Sequence, residues 1–147
     1  MAREFWRRWL LAVVAGTVLF GLVMAVLPGV AEWAFARMIF GTAKYPFGAI
    51  EGSGAADPAG YARFATAVLG AVMAGWGVVM GFLVAIPLRR GEPWAWWALL
   101  AGLAVWFVAD GGASLALGYG ENALLNLGIT VAFVPGLVGT RPARPAA

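Results

Sequence analysis

The chain has 147 residues, 63% of them hydrophobic and only 12% charged, with a formal net charge of +3. A soluble domain carries about 25% charged residues, so a mean hydropathy of +0.85 together with uncharged runs of membrane length excludes a water-soluble globule. The absence of cysteine and histidine removes disulfides, thiolate catalysis, the commonest metal ligands and the side chain best suited to proton transfer near neutral pH.

Residues 1–9 form a short basic lead carrying Trp6 and Trp9, and the uncharged run Leu10 to Leu27 follows, ending at Pro28-Gly29. The apolar core of a signal peptide is only ~7–15 residues long, so eighteen uncharged residues fit a first spanning helix better. Ala31 is the small residue at which cleavage would occur in the other case. From Val30 to Phe40, Trp33, Phe35, Met38, Ile39 and Phe40 are interspersed with Glu32 and Arg37. That stretch is too short to span. It reads either as a helix at the membrane surface or as one folded back over the end of the bundle.

Residues 41–60 collect glycine, proline, serine and charge without periodicity, the pattern of a loop. Asp57-Pro58 is a helix start, with aspartate as cap and proline at the first position, where no N–H is needed. A second span is expected over about 65–88, leaving through Pro87 and Arg89-Arg90. Glu92-Pro93 repeats the acid-proline start, and Trp94, Trp96 and Trp97 follow at interfacial level. Sixteen residues separate Trp94 from Asp110, ~24 Å at helical rise, which places Asp110 near the far edge of a ~30 Å hydrocarbon core. The third span covers 94–110, or continues to 117 with Asp110 inside it. After a turn at Gly118-Tyr119-Gly120, the fourth span covers 122–138, with Pro135 in its final turn.

Charge orders these spans. Arg3, Arg7 and Arg8 precede the first, Arg89 and Arg90 lie between the second and third, and Arg141 and Arg144 follow the fourth. On the other side Arg37, Lys44 and Arg63 are balanced by Glu32, Glu51 and Asp57, and Tyr45, Tyr61 and Tyr119 fall there too. Cytoplasmic turns carry the Lys/Arg excess, so both ends are expected in the cytoplasm. These basic residues serve topology, not nucleic-acid binding. The expected object is an all-α polytopic membrane four-helix bundle, a single membrane domain with an interfacial helix in its first outer loop (residues 28–60).

Small residues recur at spacing four: Ala12 and Gly16, Ala71 and Gly75, Gly77 and Gly81, Ala98 and Gly102. Such stripes let helix backbones approach in lipid, either inside the bundle or against a second copy. The polar residues cluster elsewhere. Asp110 and Ser114 share a helical face if the third helix continues, and Asn122, Asn126 and Thr130 share another. Arg63 is a candidate ion-pair partner for Asp110, and Glu121 lies beside them. The constellation Arg63, Asp110, Ser114, Glu121, Asn122, Asn126 and Thr130 would sit at the outer mouth of the bundle.

Four readings of this cluster stand side by side. It is a structural clasp, the polar cap of a lipid or ligand pocket, an ion or proton path, or a catalytic site. The last lacks a carboxylate pair, a base partner and any metal motif. The expectation is therefore a protein without catalytic, cofactor or metal residues, embedded in a lipid bilayer and associating with lipid, a membrane protein or a second copy of itself.

The basic-Pro-Trp turn Leu88-Arg89-Arg90-Gly91-Glu92-Pro93-Trp94-Ala95-Trp96-Trp97 is followed by Trp106, Asp110-Gly111, Ser114-Leu115, Asn122 and Asn126. Over residues 61–138 this layout resembles small bacterial four-helix membrane proteins of the DoxX-like kind. The resemblance implies four spans and carries over no functional residue. The abundance of Ala, Gly, Arg, Trp and Pro resembles that of high-GC bacterial proteins.

Overall fold

A computed structural model describes residues 2–39 and 58–142. The elements are α1 (Ala2–Val26), α2 (Pro28–Ala34), a π-helical turn (Phe35–Ile39), α3 (Pro58–Ala85), the one-turn helix α4 (Pro87–Arg90), α5 (Pro93–Ala116) and α6 (Gly120–Gly139). There is no strand among the described residues, so the fold is all-α. Four helical stretches, Ala2–Val26, Gly60–Arg90, Pro93–Ala116 and Gly120–Gly139, are long and apolar enough to cross a membrane. Only 22–28% of each apolar window is buried, so most apolar side chains face outward, as the lipid-facing side of a spanning helix does.

Proline sets most of the breaks. Pro28, Pro87 and Pro93 each open a helix at a position where no N–H is required, and α1 and α3 stop just before the first two. The short α4 ends at Gly91, whose φ of 80° is a left-handed conformation that glycine adopts without strain. Glu92 precedes α5 without capping it. Its carboxylate instead accepts the Trp94 indole N–H at 2.6 Å. The proposed Asp57 cap lies outside the described residues, as do Phe40, the 41–57 loop and Arg144.

The chain forms two compact units. The larger comprises Met1–Gly16 and Gly77–Ala147, where parts of all four spanning helices pack as a bundle around Leu10, Val14, Met80, Val84, Leu99, Leu103, Phe133 and Leu137. The start of α1 is latched to the end of α6. Arg3 donates to the Thr140 carbonyl at 3.4 Å and Trp9 Nε1 to the Ala132 carbonyl at 2.8 Å. Leu10 fills the space above Gly136, where a Cβ would lie 2.5 Å from its Cγ, and Trp6 covers Gly139. Trp96 adds a buried bond from its indole N–H to the Leu137 carbonyl at 2.7 Å.

The smaller unit is Thr17–Trp76. Here α1 and α3 approach backbone to backbone. A Cβ on Gly70 would lie 2.5 Å from Met24 Cβ and 2.6 Å from the Gly21 carbonyl oxygen, and one on Gly21 would lie 2.7 Å from both the Ala74 nitrogen and the Gly70 carbonyl. The stripe in contact is therefore Gly70/Ala74, one residue away from the expected Ala71/Gly75, which is exposed. Ala12 and Gly16 are exposed as well, and so is Ala98. Gly77 is buried, and Gly81 faces Val14 at ordinary contact distance, 3.6 Å, within the larger unit. The α2 segment folds back so that Phe35 meets Phe20 of α1 edge to face, ring centroids 5.9 Å apart.

Candidate functional site

The polar cluster is built by the α5–α6 hairpin. Helix α5 continues through Asp110 to Ala116, which puts Asp110 and Ser114 on one face. The turn is a Schellman arrangement: Tyr119 N–H bonds the Ser114 carbonyl at 2.8 Å and Gly118 N–H the Leu115 carbonyl at 3.2 Å. It requires a residue in the left-handed region, and Gly118 supplies it with φ of 81°. The tight turn starts α6 at Gly120 and brings Asn122, in its first turn, back over α5.

Asn122 Nδ2 donates to Asp110 Oδ1 at 3.0 Å and to Ser114 Oγ at 2.7 Å. Ser114 Oγ donates to the Asp110 carbonyl at 2.7 Å and lies 3.2 Å from Asp110 Oδ1. Ser114 is buried and Asp110 half-buried. The three side chains thus form a closed knot, and Asn122 acts across the turn instead of capping its own helix. Glu121 sits in the first turn of α6, where a carboxylate complements the positive end of the helix dipole.

One turn further along α6, Asn126 is 2% exposed and its Nδ2 is buried without a hydrogen-bond partner. A buried amide donor left unsatisfied costs about 1–3 kcal/mol, so the Asn126 side chain is held at a cost to the hairpin. Thr130 donates to the Asn126 carbonyl at 2.9 Å, the back-bond that a helical threonine makes to the preceding turn.

Arg63 finds its acid in the smaller unit. Its Nε lies 3.7 Å from Glu32 Oε2, so the pairing expected with Asp110 is replaced by one with Glu32, while Asp110 is held by Ser114 and Asn122. Glu32 is 6% exposed, and its Oε1 is buried without a hydrogen bond. Burial pushes the Glu32 carboxyl above its usual range, with Arg63 acting in the opposite sense. Beside it, the Arg37 guanidinium lies 5.9 Å from the centre of the exposed Trp33 ring, a cation–π arrangement. The sequence leaves Glu32 in a segment that either lies at the membrane surface or folds back over the end of the bundle. The signal available in the sequence is the three-residue spacing between Glu32 and Phe35, which puts the acid on the helical face that turns toward α1.

Among the described residues, no group of three acidic side chains comes together to hold a metal ion. The fold and the hairpin together define the class: a helical protein with four helices fit to cross a membrane and a hydrogen-bonded polar knot at one hairpin turn. No protein-family model, curated protein or solved structure matches the chain.

Proposed function

We propose that this is a non-catalytic accessory or scaffold protein of a bacterial cytoplasmic membrane, with both ends in the cytoplasm, that binds lipid, an apolar molecule or a membrane partner. The observation that carries this reading is the closed Asp110–Ser114–Asn122 knot. It gives the acid of α5 hydrogen-bond partners within the hairpin, which supports a structural role for it, while the outward faces of the helices remain apolar. Exposed small-residue steps at Ala12/Gly16 and at Ala71/Gly75 are of the kind that a neighbouring helix packs against. The arginine distribution supports the orientation, and the DoxX-like layout supports a bacterial source. Native mass spectrometry of protein released gently from membranes is expected to show a bound lipid, partner or second copy. A bare monomer under those conditions would sink the reading.

A second reading, a transporter or channel component, is favoured by one observation, the buried unpartnered amide of Asn126 beside Asp110's hairpin. Intramembrane polar groups of this kind often line ion or substrate paths. In reconstituted vesicles Asp110→Asn would then change flux with the fold intact. Unchanged flux, or none in the unsubstituted protein, removes this reading.

A further inference from the structure

The turn between α3 and α5, at the opposite end of α5 from the polar knot, holds an open groove of about 310 Å³ in the larger unit. Its floor is the stripe Val79, Phe82, Leu83 and Ile86 of α3, at the i, i+3, i+4, i+7 spacing of one helix face. Trp94 forms a wall, and Arg90 with Glu92 forms the rim. Val79, Phe82, Ile86 and Trp94 are all well exposed, so the groove opens outward from an apolar helix and ends at charge.

The rim is not electrically neutral. Glu92 is held by the Trp94 indole at 2.6 Å, and Arg90 stands 4.0 Å from it with 71% of its side chain exposed. Most of the five guanidinium donors of Arg90 therefore have no protein acceptor in reach, and Arg89 beside it is exposed too. Two arginines against one carboxylate leave a net positive mouth. From Val79 to Ile86 the floor runs ~10 Å along the helix, long enough for part of an acyl chain, and its apolar side chains offer no hydrogen-bond partner to a compact polar ligand.

From this we infer that the groove is a binding site for one anionic phospholipid, its acyl chain on the Val79–Ile86 face and its phosphate on Arg90. The site rests on the lipid-binding form of the function proposed above and gives it a location and a headgroup charge. Trp94, with its indole N–H fixed on Glu92, packs its ring at the level of the glycerol backbone, where interfacial tryptophans concentrate. Zwitterionic lipids offer the same chain but no net charge to the rim.

The test is native mass spectrometry of the full chain exchanged into mixed vesicles of phosphatidylglycerol and phosphatidylcholine, comparing lipid adducts on the released protein. The unsubstituted protein is expected to retain phosphatidylglycerol in preference. Arg90→Gln should reduce that preference about fivefold, the weight of one basic side chain near an anionic surface. Arg90→Lys should keep most of it. Val79→Trp, a change at an exposed position that fills the floor, should lower retention of both lipids without altering the melting curve. Equal retention of the two lipids by the unsubstituted protein overturns the inference, as does full retention of phosphatidylglycerol by both Arg90→Gln and Val79→Trp. In those cases the protein still binds lipid and the broader reading stands; a protein that carries no adduct of any kind overturns both.

Discussion

Gly70→Val is expected to destabilise the protein by about 3 kcal/mol, the upper end of the cost of overpacking a site that cannot relax. The neighbours it would meet are the backbone of Gly21 and Ala25 and the Cβ of Met24, none of which can move aside without separating α1 from α3 within the smaller unit. In lipid, helix association draws on close van der Waals contact, so any separation forfeits much of what holds these helices together. Reversible unfolding in mixed detergent–SDS micelles, followed by far-UV circular dichroism, measures it. Gly75→Val is the control, because a Cβ there meets nothing within 4 Å; it should shift stability by no more than about 0.5 kcal/mol. Equal costs at the two positions would mean that the backbone approach is not at Gly70.

The second large effect lies in the hairpin knot. Asn122→Ala deletes the donor shared by Asp110 and Ser114 and should cost about 1–2 kcal/mol, between the values typical of bonds to charged groups and those measured between membrane helices. A double-mutant cycle with Asp110→Ala isolates the pair. A coupling near 1 kcal/mol is expected, and a coupling indistinguishable from zero would mean that the two side chains do not share a bond in the membrane.

These two sites also show where local pattern suffices and where it stops. The knot was legible because both of its halves are local. Asp110 and Ser114 share a face only if α5 continues, and a glycine turn of a few residues returns Asn122 to that face. The α1–α3 contact was legible in kind but not in register. The run Gly70-Ala71-Val72-Met73-Ala74-Gly75 contains two interleaved small stripes, and moving from one to the other rotates the contact face by about 100°. Periodicity offers no ground for choosing between them. The choice is made by Gly21, which lies on another helix.

Arg63 illustrates the same limit in charge. Glu32 and Asp110 are both acids that the charge pattern is expected to place on the same side as Arg63, and one-dimensional spacing favours neither. What decides is that α2 folds back on α1, which buries Glu32 and makes an ionised carboxyl there costly without a cation. The aromatic edge contact between Phe20 and Phe35 that accompanies this fold-back has no counterpart in the pattern of either segment. The Gly136 and Gly139 recesses for Leu10 and Trp6 were invisible for a simpler reason. Glycines in the last turns of an apolar helix look like any other glycines until a partner from the far end of the chain is placed on them.

That partnership has a consequence for how the protein is made. The bonds from Trp9 to Ala132 and from Arg3 to Thr140 join residues 123 and 137 positions apart. At ribosomal rates of about 5–20 residues per second, roughly 6–25 s separate the synthesis of Trp9 from that of Ala132. Through that interval the first helix stands in the bilayer with Trp6, Trp9 and Leu10 uncovered on the side meant for α6. Closure of the larger unit is thus a final event, and whatever shields that face in the meantime, lipid or insertion machinery, has to give way when α6 arrives.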